Sequence, residues 1–433
     1  MENFKEFIRS LIVGILTAEA RAVLAKYKPN VILVTGSVGK TSSKDAMYTA
    51  LASSFFIRRS EKSFNSDIGV PLTVLGVPNG WGNPVQWIKN ILEGLSLILL
   101  NAPYPKWLVL EIGADRPGDI TKSLSWITPA VVLGTRFPKV PVHVEFYDSP
   151  EEVIKEESAP LTWLKAGGTA VLNADDERTK FITLQDGVRK ITYGFEHDAD
   201  VRGMRYIATQ SKKTATGIAF DVQWNGERAH VSVPNVLGRT HAQAVLAGIA
   251  AAVAVGVPLS IAAGAFQNHV PPAGRTRIVP GLRGTTLIDD TYNSSPVASE
   301  EALNVLSDAP RTGRRVAILA DMLELGSFSV SEHERIGTLV PLHADVLITA
   351  GVRARGIAKG AREAGMHPDV VIETDRAADA ASAVVSIISE GDVILVKGSQ
   401  SMRMERVVKS LMAEPAKAKD LLVRHDAEWL SRP

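Results

Sequence analysis

The chain has 433 residues, too many for one hydrophobic core of ordinary size, so two or three domains are expected. Hydrophobic residues make up 45% of it and charged residues 22%, which is typical of globular proteins, and the formal net charge of +1 argues against a protein that mainly binds nucleic acid. No cysteine is present, which excludes disulfides, thiolate catalysis and zinc–thiolate sites and makes the cytoplasm the expected compartment.

Residues 4–27 form the first predicted helix, because apolar residues recur there at helical spacing from Phe4 to Leu16. The uncharged run from Ser10 to Ala18 spans nine residues, whereas about 20 are needed to cross a bilayer, and no convincing signal-peptide cleavage site follows. We therefore expect residues 1–28 to be a helix that packs on the next domain. The alternatives are that the helix lies on a membrane surface or binds a partner protein. Membrane contact is not the expected role.

A strand, a glycine-rich loop and a helix follow at residues 31–34, 35–41 and 42–53. Further strands are predicted at residues 107–112, 130–134, 168–173, 217–224 and 229–233, with a helix at 241–255. Strands that alternate with helical segments favour an α/β domain with a mostly parallel sheet. The Asn225-Gly226 pair predicts a hairpin turn between the last two strands.

The loop carries the pattern Gly36-x-x-Gly39-Lys40-Thr41, a shortened form of the common phosphate-binding loop. In such loops successive backbone N–H groups surround a phosphate together with the helix N-terminus. Lys40 would neutralise phosphate charge and Thr41 would offer its hydroxyl to Mg²⁺. We therefore predict a P-loop-type central ATPase domain at residues 29–272 that binds ATP and Mg²⁺.

Two further residues of this domain are candidate metal ligands. Glu111 ends a predicted strand, at the edge of an α/β sheet where ligands bind, and it could complete the magnesium site begun by Thr41; a cap on the next segment is the alternative. His143 follows the strand at 130–134, but a single histidine is more often structural than a ligand, so by itself it does not establish a metal site.

A second α/β unit is predicted after the Pro271–Gly274 stretch, with strands at residues 285–289, 315–319, 346–349, 370–372 and 393–396. We expect residues 273–433 to form a Rossmann-like C-terminal domain. Arg275, Asp290, Asn293 and Lys397 lie at its opening or after its strands. Basic residues from a second domain suit phosphoryl transfer, because negative charge spreads over three oxygens in the transition state.

Seven segments resemble motifs of the Mur ligase family, in order and over nearly the whole chain: residues 35–41 (TGSVGKT), 64–73 (FNSDIGVPLT), 110–115 (LEIGAD), 171–176 (VLNADD), 287–293 (LIDDTYN), 320–326 (ADMLELG) and 396–399 (VKGS). The resemblance implies an ADP-forming acid–amino-acid ligase that acts through an acyl phosphate. Segments 287–293 and 320–326 favour the branch that adds D-alanyl-D-alanine to a muramoyl-peptide precursor in peptidoglycan synthesis. The implied partners are small molecules, an acidic peptide precursor and a dipeptide amine, and not nucleic acid.

The resemblance also implies roles for individual residues. Thr41 and Glu111 would bind one Mg²⁺, and His143 matches a histidine near a second. The nucleotide would be bound by Gly36, Ser37, Gly39, Lys40, Thr41, His241, Arg275, Asp290 and Asn293. The catalytic residues would be Lys40, His143, Glu157 and Arg275.

Three departures from the family pattern bear on these expectations. Ahead of the phosphate loop only the predicted helix stands where the family has a UDP-binding domain, so binding of a UDP-linked substrate is an open question. Glu157 occupies the position of a carbamylated lysine that serves as a metal ligand, and a glutamate would supply a comparable carboxylate without CO₂; Lys155 leaves a shifted alignment open. His241 replaces the usual asparagine of the nucleotide site. A Mur-like ligase for another acid, and a non-catalytic ATP-binding protein, are the alternative functions.

Overall fold

The computed structural model describes residues 2–61, 64–114, 116–211, 214–425 and 429, with side chains from residue 6 onward. Asp115, which ends one of the motifs, lies outside the described residues, and so does the side chain of Phe4. Within the described part, two β-sheets with helices on their faces follow one another along the chain. The predicted α/β class is confirmed.

The first sheet has nine strands in the order β2-β3-β1-β4-β5-β6-β7-β8-β9. They are β1 (Asn30–Thr35), β2 (Ile57–Arg59), β3 (Trp107–Glu111), β4 (Val131–Gly134), β5 (Thr169–Asn173), β6 (Arg189–Gly194), β7 (Val201–Ser211), β8 (Thr214–Trp224) and β9 (Glu227–Pro234). Neighbouring strands are parallel from β2 to β7, and β8 runs antiparallel to both β7 and β9. The predicted hairpin is present, with positive φ angles at Asn225 and Gly226.

Eight helices accompany this sheet: α1 (Glu2–Tyr27), α2 (Lys40–Ala52), α3 (Gly69–Leu75), α4 (Pro84–Leu99), α5 (Asp119–Leu124), α6 (Pro150–Thr162), α7 (Arg239–Ala254) and α8 (Leu259–Gly264). The central strand β1 is apolar on both faces because each face is covered. Ile32 and Val34 belong to the core that contains α2 and α7, whereas Val31 and Leu33 belong to the core that contains Leu16 of α1. Helix α1 therefore packs on this unit.

Helices α2 and α7 approach each other closely behind the phosphate loop. A Cβ atom at Gly248 of α7 would lie 2.6 Å from the carbonyl carbon of Ala46 of α2, so glycine is needed there. Alanine-rich α7 is buried along most of its length because small side chains allow this close contact. The position of α2, and with it that of the loop that precedes it, is fixed by this packing.

The second sheet has six strands in the order β10-β11-β15-β12-β13-β14, all parallel except β10. They are β10 (Arg277–Pro280), β11 (Thr286–Asp290), β12 (Arg315–Ala320), β13 (Val346–Ala350), β14 (Val371–Thr374) and β15 (Val393–Lys397). The helices of this unit are α9 (Pro296–Asp308), α10 (Ser329–His343), α11 (Arg355–Glu363), α12 (Ala377–Ile387), α13 (Glu405–Leu411) and α14 (Ala418–Leu421). The five strands predicted for this unit correspond to β11–β15 and occur within two residues of their expected bounds, whereas β10 was not predicted. Among the described helices, none is long and apolar enough to cross a bilayer.

Candidate active site

The loop between β1 and α2 has the backbone of a phosphate-binding loop. Gly36 has φ +117°, and a Cβ atom there would lie 2.3 Å from Thr135 Oγ1. Gly39 has φ +88° and is the N-cap of α2, which no side chain caps. The backbone N–H of Ser37 donates to the carbonyl of Arg136 at 2.8 Å, which anchors the loop to the end of β4. Both glycines are required by their positive φ angles, and Gly36 also by the lack of space for a Cβ atom. The N-terminus of α2 is left for an anion.

Glu157 of α6 lies directly against this loop. Its carboxylate accepts a short hydrogen bond from Ser37 Oγ and lies 3.3 Å from Lys40 Nζ, which also donates to the carbonyl of Gly36. The backbone carbonyl of Glu157 accepts a hydrogen bond from Thr35 Oγ1. Glu157 is only 2% exposed. Glu157, which the family resemblance predicted at the site, therefore contacts two of the predicted phosphate-binding residues, Ser37 and Lys40.

Thr41 and Glu111, the predicted ligands of the first Mg²⁺, are also brought together. Thr41 Oγ1 donates to Glu111 Oε1 at 3.1 Å, while Glu111 Oε2 is buried and accepts no hydrogen bond. Lys44, one helical turn after Lys40, is fully buried with its Nζ 3.6 Å from Glu111 Oε2 and 3.5 Å from Asp45 Oδ1. Lys44 was not among the predicted site residues, although its spacing from Lys40 places both on the same face of the helix.

These residues fit a magnesium ion that is shared with a nucleotide. Mg²⁺ is commonly bound by one or two carboxylates together with phosphate oxygens and water. Glu111 Oε2 is a buried carboxylate oxygen without a hydrogen bond, and Thr41 adds a hydroxyl beside it. No group of three or more His, Asp and Glu side chains in the described part of the chain is placed to hold a metal ion by itself. Phosphate oxygens and water would complete the coordination.

His143 lies at a contact between the two sheet units. It has φ +63° and precedes a 3₁₀ turn, Val144–Phe146. Its Nδ1 lies 2.8 Å from Glu324 Oε2 of the second unit, and the hydrogen bond from His143 lowers the pKa of Glu324. The structure thus pairs His143 with a carboxylate that the sequence analysis did not consider. Its metal role stays a prediction.

The C-terminal candidates form a second cluster. Asp290 ends β11 and accepts from Lys397 Nζ at 2.6 Å, and Lys397 also donates to the backbone carbonyl of Asn293 at 3.0 Å. Burial lowers the pKa of Lys397, and the charge of Asp290 opposes this. The guanidinium of Arg275 stacks on the ring of Tyr292 at 4.2 Å, which orients it. Lys397 and Tyr292 therefore contact the three predicted residues: Lys397 bonds to Asp290 and to the backbone of Asn293, and Tyr292 stacks with Arg275.

His241 lies at the start of α7 and is buried. Burial lowers its pKa to about 3, so the imidazole is neutral at neutral pH. Its ring lies 6.1 Å from that of His269, whose Nδ1 is 2.7 Å from Thr49 Oγ1. His241 Nε2 has no hydrogen-bond partner within the described structure. Its predicted contact with a nucleotide base stays a prediction.

The two units also meet at Glu301 of α9, a residue that the sequence analysis missed. Its carboxylate pairs with Arg136, which follows β4, and accepts from Thr240 Oγ1 at 2.7 Å. Arg136 is the residue whose backbone carbonyl anchors the phosphate loop. No local sequence pattern marks such a contact between units.

Two protein-family models match the chain: the Mur ligase middle domain matches residues 34–252, and the Mur ligase glutamate ligase domain matches residues 274–400. The chain belongs to the Mur ligase family. The predicted family is therefore confirmed, and the two matches fall on the units with the first and second sheet.

Curated relatives include the UDP-N-acetylmuramoyl-tripeptide–D-alanyl-D-alanine ligase of Bacillus subtilis (strain 168), which is 27% identical over 399 residues. That alignment covers 92% of this Mur ligase and 79% of the relative. The ligase of the same name from Mycobacterium tuberculosis (strain ATCC 25618 / H37Rv) is 28% identical over 444 residues, with 96% and 79% covered. Among solved structures, MurF ligase from Thermotoga maritima in complex with ADP has the same fold, with a TM-score of 0.74 at 21% identity over 94% of this chain and 84% of that one.

Proposed function

We propose that this Mur ligase is an ATP-dependent, ADP-forming ligase that joins the terminal carboxylate of a muramoyl-tripeptide precursor to the amine of D-alanyl-D-alanine. The reaction would belong to peptidoglycan synthesis in the cytoplasm. The observation that carries the proposal is the cluster at the start of α2, where the Thr41–Glu111 hydrogen bond adjoins the Lys40–Glu157 ion pair. Two curated relatives of this chain are ligases named for these two substrates, and a solved structure with the same fold contains ADP.

Mg-ATP, when bound, supplies the phosphoryl group that makes a carboxylate reactive toward an amine. The chain's own residues would hold and orient the reacting groups. Lys40, now bonded to Gly36 and Glu157, would turn its ammonium group to phosphate oxygens, which carry more negative charge. Thr41 and Glu111 would offer oxygens to Mg²⁺.

Glu157 would take the role of the family's carbamylated lysine, because its carboxylate already lies at the loop in a buried position. Arg275, held by its stacking on Tyr292, would stabilise the negative charge that spreads during phosphoryl transfer. We further propose that residues 29–272 and 273–433 are separate domains that follow the 1–28 helix and carry these two sets of residues.

The test is phosphate release from Mg-ATP with UDP-N-acetylmuramoyl-tripeptide, with D-alanyl-D-alanine, with both and with neither. Release only when both are present is the expected result. Lys40→Met should reduce it at least about 100-fold, because one preorganised charge at the phosphates is lost. Lys165→Met, at an exposed lysine of the same unit, is the matched control and should leave the rate unchanged.

Failure of both substrates together to stimulate release, in a protein that binds ATP, contradicts the substrate assignment. A search over other carboxylic acids then distinguishes a Mur-type ligase for a different acid from a non-catalytic ATP-binding protein.

A further inference from the structure

Exposed apolar side chains are concentrated on one part of the molecule. Of the nineteen large apolar side chains that are exposed in the described structure, ten lie on α1, on α4 or at residues 81 and 100 next to α4. Single exposed apolar residues are ordinary on a protein surface, but a contiguous set on neighbouring helices is not. Such a set indicates a surface that binds another protein or a membrane.

Helix α4 carries apolar side chains on the face that packs on the protein and also on the opposite face. Its inner face, with Asn90 and Gly94 buried, packs on α1 and α3. Its outer face carries exposed Val85, Ile88, Leu92, Leu95 and Leu99 at alternating spacings of three and four residues. A helix with apolar residues on two opposite faces is normally covered on both of them. In this chain only half of α4 is covered.

Helix α1 holds α4 in place and has an uncovered face of its own. Lys26 Nζ donates to the last carbonyls of α4, those of Leu97 at 2.9 Å and Ile98 at 3.0 Å. A shallow groove of about 470 Å³ runs along α1 and is lined by Phe7, Ser10, Leu11, Gly14, Ile15 and Ala18. The two helices therefore form one structural element, and each has an apolar face without a covering partner in the described structure.

Basic side chains exceed acidic ones around these faces. Arg21, Lys26 and Lys28 are exposed on α1 or just after it, against one exposed acidic residue among the described side chains of α1, Glu6. Arg9 of the same helix is paired with Asp67. On α4 the exposed Lys89 lies 3.6 Å from Glu93, and these two are the only charged residues of that helix. Trp81, which accepts a hydrogen bond from the indole of Trp87 at its backbone carbonyl, lies at the beginning of α4 and is partly exposed. Apolar stripes with flanking Lys, Arg and Trp are typical of helices that lie in the interface of an anionic bilayer.

We propose that the uncovered faces of α1 and α4 rest on the surface of an anionic lipid bilayer. The helices would lie in the headgroup region without crossing it, in keeping with the lack of a described helix able to span a membrane. A second copy of the chain fits less well, because a symmetric contact places the surplus of basic residues against itself. The inference does not depend on the ligase activity, so either can fail without the other.

The test is co-sedimentation of the full chain with vesicles of phosphatidylcholine alone and of phosphatidylcholine mixed with phosphatidylglycerol. We expect binding to the mixed vesicles. The double variant Leu92→Gln/Leu99→Gln, at side chains that are 60% and 77% exposed, should weaken it at least about 30-fold, because two leucines no longer enter the apolar layer. Leu342→Gln/Val352→Gln, at equally exposed positions of the second unit, is the matched control and should bind as the unaltered chain does.

The charge component has its own variant. Arg21→Gln/Lys28→Gln should weaken binding to the mixed vesicles by about 5-fold per charge and leave any binding to phosphatidylcholine alone unchanged. Unchanged circular dichroism and Tm verify that the variants are folded, which is expected because the altered side chains are exposed. Absence of binding to mixed vesicles, or equal loss in the Leu342/Val352 control, overturns the proposal. It is also overturned if the chain is a dimer that the Leu92/Leu99 variant dissociates while vesicles are not bound.

Discussion

Replacing Glu157 by glutamine removes the negative charge of a carboxylate that is 2% exposed while keeping its size and shape. In the structure this charge faces Lys40 Nζ at 3.3 Å and accepts a hydrogen bond from Ser37. At an effective dielectric constant near 20, the Lys40–Glu157 attraction at this distance is about 5 kcal/mol before desolvation. Lys40 keeps the carbonyl of Gly36 as a partner, so we expect the free energy of unfolding to fall by about 3 kcal/mol.

The same substitution should also lower activity. If Glu157 is a metal-binding carboxylate, the neutral amide of glutamine is a poorer ligand, and kcat should fall at least about 100-fold. Phosphate release in the presence of both substrates measures kcat, and thermal unfolding should show a Tm lower by roughly 6 °C. The unaltered chain should turn over equally fast with and without added bicarbonate, because no lysine needs to be carbamylated.

The matched control is Glu151→Gln on the same helix, at an exposed position in its first turn. It should change stability by less than about 1 kcal/mol and leave kcat unaltered. Wild-type turnover in Glu157→Gln refutes the assigned role. Stimulation of the unaltered chain by bicarbonate, abolished by Lys155→Met, shows instead that Lys155 is carbamylated and that the alignment is shifted.

Three further predictions concern other charged residues. Glu19 of α1 faces α4, and burial raises its pKa to about 7. Because this pKa exceeds that of the unfolded chain, the stability that protonated Glu19 contributes is complete below about pH 4.5 and is lost as the pH rises through about 7. Glu19→Gln should therefore raise Tm at pH 8 and have little effect at pH 5, and an equal shift at both would contradict this titration. Glu301→Gln removes the carboxylate that pairs with Arg136, so Tm should fall by a few degrees. The fall should be smaller at high salt, because Arg136 is partly exposed and salt screens the pair. An effect independent of salt would argue against an ionic contact. Lys397→Met leaves Asp290 buried without its partner and should lower the free energy of unfolding by about 3–5 kcal/mol in denaturant titrations. Combining it with Asp290→Leu should recover much of this loss, because no unpaired charge is then buried. Additive losses in the double variant would show that the pair is not coupled.

Local sequence patterns determined the elements that carry the site. Residues 31–34 are β-branched or apolar and are buried on both faces of the sheet, and the glycines at positions 36 and 39 have the positive φ angles that other residues adopt rarely. The strand–loop–helix unit, the hairpin at Asn225-Gly226 and strands β11 to β15 of the second sheet were predictable for this reason. Helix α4 and strands β2, β6, β7 and β10 were not predicted. Helix α4 has apolar residues on two opposite faces, β2 has only three residues, and charged residues interrupt the apolar pattern of β6, β7 and β10.

The sequence by itself determined this protein's α/β class, its phosphate loop and its membership of a ligase family, since these depend on residues close together in the chain. Only the tertiary structure decided which charges meet. Glu157 and Lys40 are 117 positions apart, and they meet because α6 packs next to the loop that follows β1. His143 faces Glu324, and Arg136 faces Glu301, because the two sheet units touch there. Contacts of this kind depend on strand order and on the packing of one unit against the other, which no local periodicity encodes.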